Sequence, residues 1–317
     1  MYAADIPKIN HYHKFCNFRK ILQAWGHLSD SELTLSVIIV EIVIDNWFFR
    51  CRLSCGHIPQ KPLMQNCATN TRCELSDTSI IVPSWLNKWM ESHKISLWGV
   101  ADLRDLSTPH DETQQKFPFA LSLAIPMTPQ IMFSIKNGPN QAYADEYSKV
   151  NNRINDLSRA LTAEIKVRGF RSQPLAASNQ TDTVHIKGDF PHKTAATRAG
   201  LGWIGRHCQL ITRPFGSWIR LGTVFTDMEL PHGPAIKNSF CGRCVRCVAA
   251  CPAKALKGTA WYPELPREEI LDVWACDHWK KEHYFQYHKG HNCGICSAVC
   301  PYSLKLLKKD SSKPWDL

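Results

Sequence analysis

CGRCVRCVAACPAKAL, residues 241–256, places Cys241, Cys244, Cys247 and Cys251 at spacings of two, two and three intervening residues, with Pro252 directly after the last. That run, C-x2-C-x2-C-x3-C-P, is one that holds iron-sulfur clusters. Soft thiolates bind iron, and so short a loop lets three of them reach three corners of one cubane. The fourth then points away, toward a different cluster. Gly242, Ala249 and Ala250 are small enough for the backbone to approach the cluster sulfides.

Working outward, HNCGICSAVCPYS at residues 291–303 supplies Cys293, Cys296 and Cys300 before Pro301, one cysteine short of a complete run. Cys276, in DVWACDHW at residues 272–279, fills the vacancy. The expected arrangement is two [4Fe-4S] clusters, one on Cys241, Cys244, Cys247 and Cys300, the other on Cys251, Cys276, Cys293 and Cys296. Paired zinc sites or disulfides use other spacings, and a buried free thiol is the alternative for Cys276. Residues 232–317 therefore read as a bacterial two-[4Fe-4S] ferredoxin-like module, entered through the turn-rich LPHGPAIKNSF linker at residues 230–240.

Before that linker, residues 83–231 mix helix and strand. SWLNKWMESHK at residues 84–94 reads as a short helix with Ser84 as N-cap, and ISLWGVADL after it as a strand. FALSLAI, residues 119–125, is a second strand ended by Pro126. Apolar positions at Tyr143, Tyr147, Val150, Ile154, Leu157, Leu161 and Ile165 recur every three or four residues, the stripe of a long helix that Gly169 stops. Gln209 to Thr212 and WIRLGTVFT, residues 218–226, look extended, with Pro214 and Gly216 as turn material between them. This order gives an α+β or α/β domain.

Residues 1–82 carry Cys16, Cys51, Cys55, Cys67 and Cys73 without a common finger spacing, and read as an extension of unknown order. Its most apolar run, Leu33 to Phe49, is broken by Glu41 and Asp45, which favours a buried strand over a membrane span. No secretory signal is visible at residues 1–30, so a reducing cytoplasm is the expected compartment. Lys and Arg exceed Asp and Glu by 38 to 28, a formal charge of +10. That excess suits an anionic partner such as RNA, or is a set of solvated surface lysines.

Gly200, Gly202 and Gly205, in HKTAATRAGLGWIGRHCQLITRPFGSWIRLGTVFTD at residues 192–227, match G-x-G-x-x-G. A dinucleotide fingerprint should follow a strand and open a helix, yet KTAATRA before the glycines reads as helix and QLIT after them as strand. Cys208, in the same stretch, reads as a core or loop cysteine or as a redox group.

The strings AGLGWIGRHCQLIT and FGSWIRLGTVFTD, followed by the double cysteine module, resemble epoxyqueuosine reductases and share features with the corrinoid reductive dehalogenases. The resemblance covers about residues 84 to 305. It implies a nitroreductase-like domain that binds cobalamin, receives electrons from two [4Fe-4S] clusters and is itself served by a low-potential donor of the ferredoxin or flavodoxin type. It further implies removal of the epoxide oxygen from epoxyqueuosine in tRNA. The family's acid-containing element has its nearest equivalent in GDFPHK, residues 188–193, closer to Gly200 than in the family. Asp189 is thereby the candidate proton donor, or else a turn aspartate before a proline. His192 and Lys193 resemble an HK pair of less-studied relatives. They orient a cofactor amide or phosphate, or face solvent at a helix start. The alternative to a reductase is a non-catalytic two-cluster carrier serving another enzyme; a third option is reductive dehalogenation.

Arg243 and Arg246 lie within the first cysteine run and favour the more negative, reduced state of a nearby cluster. Replacing both by Gln is expected to lower a reduction potential measured by voltammetry; an unchanged potential would place these charges too far away to act.

Overall fold

The structure, a computed structural model, describes residues 81–107, 116–178 and 180–308. The expected N-terminal extension, its Leu33–Phe49 strand and its five cysteines lie outside those residues. All described residues fall within one compact unit, Leu75–Leu317.

The centre is a four-stranded sheet. In chain order its strands are β1 (Leu97–Asp102), β2 (Phe119–Pro126), β3 (Ser172–Leu175) and, after a hairpin of β4 (Gly202–Ile204) and β5 (Leu210–Thr212), β6 (Ile219–Thr226). The spatial order is β1-β2-β6-β3, and every pairing is antiparallel. The fold is accordingly α+β. Pro174 lies on β3 at the sheet edge, where its missing N–H costs no ladder bond.

β2 reads as one apolar run because both of its faces are covered. Leu121, Leu123 and Ile125 meet the apolar stripe of helix α3 (Gln141–Val167), formed by Val150, Ile154, Leu157, Leu161 and Ile165. Helix α1 (Ser84–Ser92) packs into the same layer through Leu86, Trp89 and Met90. The residue preceding α1 is Pro83, and Ser84 is its first helical residue, so the expected Ser84 cap is corrected: no side chain caps this end. On the opposite face Ala120 and Ala124 admit the close approach of Ala195, Ala196 and Ala199 at helix α4 (His192–Arg198). Gly222 on β6 has the same purpose toward α3, because a Cβ there would lie 2.8 Å from Ile154 and Ser158.

Asn140 caps α3 by accepting from the Tyr143 backbone N–H at 2.9 Å. Its C-terminal end closes with Gly169 at φ 86 and the Phe170 N–H on the Ile165 carbonyl, a Schellman arrangement that uses glycine's freedom at positive φ. The small helix α2 (Pro129–Ser134) follows β2 directly.

The C-terminal part is short helices and loops: α5 (Arg246–Ala250), α6 (Val273–Tyr284), α7 (Ile295–Ala298) and α8 (Pro301–Leu304). It is seated on the sheet end where β2 finishes and β6 begins. The fully buried Trp218 donates its indole N–H to the Ser297 carbonyl at 3.0 Å. Next to it, the Ser217 backbone N–H donates to Ser303 Oγ at 2.8 Å, and the Ser217 and Ser297 hydroxyls are 2.7 Å apart. No described helix is long and apolar enough to cross a membrane.

Ile154 is fully buried between α3 and β6. Ile154→Ala is expected to cost about 2–5 kcal/mol in urea denaturation, against a change near zero for the exposed Lys149→Ala.

Candidate iron-sulfur and cofactor site

Nine cysteines lie among the described residues, and all are free. Eight of them are the cysteines of the two runs and Cys276; the ninth is Cys208. The structure brings the eight into two adjoining groups. Cys247, its thiol pushed up to about 11 by burial, feels Cys241, Cys300 and Cys244. Cys293, also pushed up to about 11 by burial, feels Cys276 and Cys251. Cys296 is raised further, first by burial and then by Cys293 and Cys276, and it also senses Cys247 across the boundary. Burial raises Cys276 and Cys300 as well. These five thiols resist ionising by themselves, and a bound metal removes that resistance by supplying the missing positive charge. Among the described residues no three His, Cys, Asp or Glu side chains converge on one ion. A cubane takes its thiolates at separate corners and needs them around a volume instead of a point.

The first run is braced from the α+β side. Arg206 donates to the Gly242 carbonyl at 2.7 Å and also to that of Gly258. Tyr302 donates its hydroxyl to the Phe240 carbonyl at 2.7 Å. Gly294, at φ 83, lets the second run press against the turn after α2, where a Cβ would lie 2.3 Å from Ile135, and against Tyr143 of α3.

Between the second cysteine group and the sheet end lies a cavity of about 400 Å³. Its floor is Cys251, Cys276, Cys293 and Cys296; its roof includes Tyr147, His192, Lys193, His207 and Arg220. The imidazole of His192 accepts from the Thr223 hydroxyl at 2.8 Å and donates to the Ala176 carbonyl at 3.2 Å. Both of its nitrogens are thus engaged by protein, and burial pushes its pKa down to about 4. Lys193 donates to the Cys208 carbonyl and lies 3.4 Å from Cys208 Sγ.

His207 is 2% exposed, and its Nδ1 accepts from the Gln209 backbone N–H at 3.1 Å, so the ring proton sits on Nε2. That Nε2 has no partner in the protein. Burial, helped by Lys193, pushes the His207 pKa down to about 4, which keeps the ring neutral. Arg220 donates to Asn151 Oδ1 at 2.7 Å and to the Tyr147 hydroxyl at 2.9 Å, and its guanidinium lies 4.1 Å from the Tyr147 ring centroid. Burial acts to raise the Tyr147 phenol. The Arg220 cation and hydrogen bonds to Ser178 and Asn151 outweigh it and hold the phenol below its usual value.

Of the residues singled out in the sequence, His192 and Lys193 reach the cavity wall, whereas Asp189 is exposed and lies off it. Gly200, Gly202 and Gly205 are off the wall too, and they follow α4 and lead into the β4–β5 hairpin, which is not the strand–glycine–helix context of a dinucleotide site. Their smallness is used locally: at Gly202 a Cβ would lie 2.1 Å from the Ile211 carbonyl oxygen. Tyr147, His207 and Arg220 also line the cavity. The sequence marks Tyr147 only as part of a helix stripe, and nothing in β6 signals that Arg220 reaches the wall.

Residues 240–303 match the family of the 4Fe-4S double cluster binding domain. The epoxyqueuosine reductase of Synechocystis sp. is 30% identical over 173 residues, 51% of this chain and 56% of that protein. Over these residues the chain is similar to epoxyqueuosine reductases. A second such reductase, from Gloeobacter violaceus, is 35% identical over 133 residues, 37% of each chain. Over the first relative, then, the match spans little more than half of the protein's length. A solved reductive dehalogenase described as B12-dependent shares the fold, with a TM-score of 0.51, 16% identity, and coverage of 66% of this chain and 30% of that one. The residues that match the double-cluster domain thus sit directly against the α+β sheet.

The depressed imidazoles fix a pH dependence. Folded His207 binds a proton only near pH 4, while an unfolded imidazole binds one below about 6.5. Between those values the unfolded chain takes up the proton first. Stability is therefore expected to fall as pH drops from 6.5 toward 4, and His207→Phe should flatten part of that fall in urea titrations at pH 7 and pH 5.

Proposed function

We propose that this chain is an iron-sulfur oxidoreductase that reductively removes an oxygen from an electrophilic substrate bound in the cavity. The observation that carries the reading is the cavity itself, with the buried Cys251 and the half-buried Cys276, Cys293 and Cys296 on one wall and a Tyr147–Arg220 pair on the other. Cys241, Cys244, Cys247 and Cys300 would hold one [4Fe-4S] cluster, and Cys251, Cys276, Cys293 and Cys296 the other. The donor set fits: eight free soft ligands, no disulfide among the described cysteines, and two groups within electrostatic reach of each other.

A corrinoid suits the cavity between the second cysteine group and the sheet end, in a domain of nitroreductase-like kind. The unpartnered Nε2–H of His207, the Lys193 ammonium and the Arg220 guanidinium are donors lining one cavity, and they match a cofactor rich in amide and phosphate acceptors. The B12 dependence stated for the structural relative supports the same group. When bound, the clusters supply single electrons and the corrinoid a reducible metal centre.

The remaining chemistry belongs to the chain. Tyr147 holds a proton on its hydroxyl at the wall, and Arg220, 2.9 Å away, favours the phenolate left after transfer and an oxyanion beside it. His192, neutral and fixed at both nitrogens, shapes the wall without competing for that proton. Tyr147 takes this role in preference to Asp189, which lies off the wall. The named activity of the relatives and the charge of +10 make epoxyqueuosine in tRNA the substrate to test first, with electrons from a low-potential ferredoxin or flavodoxin.

Anaerobic reconstitution should load about eight irons per chain, and cob(II)alamin added to that protein should show a perturbed optical and EPR spectrum. Eight irons without a corrinoid response would make the chain a two-cluster electron carrier. Tyr147→Phe should leave corrinoid binding intact and lower turnover on epoxyqueuosine-containing tRNA by roughly 10²-fold or more; an unchanged rate would move the proton donor elsewhere.

A further inference from the structure

The cysteine-lined end of the cavity holds a side chain that neither ligand binding nor proton transfer uses. Asn292, immediately before Cys293, is 2% exposed and lines the cavity, and neither its Nδ2 nor its Oδ1 has a hydrogen-bond partner in the protein. A buried amide left this way is costly, whereas leucine, of similar volume, would fill the space without that penalty. An asparagine here is explained by an acceptor that arrives with the contents of the cavity. The wall residues at this end are Cys251, Cys276, Cys293 and Cys296. Cluster and thiolate sulfurs accept hydrogen bonds and do not donate them, so Nδ2 is the end of the amide that turns to them.

We propose that Asn292 Nδ2 donates a hydrogen bond to a sulfur of the cluster held by Cys251, Cys276, Cys293 and Cys296, and thereby raises that cluster's reduction potential. The inference rests on the two-cluster reading above. Its physical basis is charge. One-electron reduction adds a negative charge to the cluster, a hydrogen bond to an anionic acceptor is stronger than one to a less charged acceptor, and the bond therefore stabilises the reduced state over the oxidised one. This cluster borders the cofactor cavity, so Asn292 is a positioning residue that sets the driving force of the last electron transfer without touching the substrate.

The test is an EPR-monitored redox titration of the full reconstituted chain and of Asn292→Leu. The expected result is full iron content in both, one potential lowered in the variant by the equivalent of about tenfold in the reduction equilibrium, about 59 mV for a one-electron couple, and the other potential unmoved. Two unmoved potentials at full iron content overturn the proposal. Should the variant fail to load iron, wild-type protein labelled with 15N-asparagine decides the matter by pulsed EPR: a nitrogen coupling at one reduced cluster is expected, and its absence overturns the proposal. A wild-type iron content well short of eight would instead remove the two-cluster reading itself, and it is measured before any variant is made.

Discussion

The seating of the cysteine-bearing segment on the end of the sheet rests on a few buried hydrogen bonds around Ser217 and Trp218. The Trp218 indole reaches the Ser297 carbonyl, and the Ser217 amide and hydroxyl reach Ser303 and Ser297. All four residues are buried, so each of these polar groups has to be paired within the protein. Satisfying them fixes the loop between β5 and β6 against the loop that carries Cys296 and Cys300. The floor of the cavity is thereby placed opposite its roof.

Around that junction the packing allows little slack. Gly216 takes φ 57, and a Cβ there would lie 2.4 Å from Ser303 Oγ. Trp218 is enclosed with Met127, Met132, Tyr143 and Ala298, which joins the end of β2, α2, α3 and the second cysteine run in one apolar cluster. A second cluster joins Trp203, Ile204 and Ile211 of the β4–β5 hairpin to Trp261, Ile270 and Cys300. The two cysteine groups are therefore built into the core of the fold and not carried on a tether.

The electrostatics of the cavity follow from burial. Thiols raised by enclosure line one side, while the other carries imidazoles held neutral by the same enclosure, together with Lys193 and Arg220. Such a wall offers donors and positive charge to acceptor groups while withholding protons, apart from the one on Tyr147. The Arg220 contact that holds down the phenol depends on Arg220, Gly222 and Val224 sharing the α3 face of β6, with Gly222 letting the helix come close.

The cysteine spacing alone determined that the last part of the chain is metal chemistry, because consecutive short intervals restrict which thiols can share a cluster whatever surrounds them. The long helix was equally legible, since its apolar stripe repeats at helical period and Asn140 and Gly169 mark its ends. Sheet direction and the site roof were not legible. Antiparallel pairing of β2 with β6 joins residues roughly a hundred positions apart, and no local pattern encodes such a partner. Asp189 stands near a recognisable motif, yet the turn that carries it leaves it exposed and off the cavity wall. Tyr147 and Arg220 carried no motif at all. They become a proton-bearing pair only when α3 lies across β6, because a phenol's proton affinity is set by the charge that tertiary structure brings beside it.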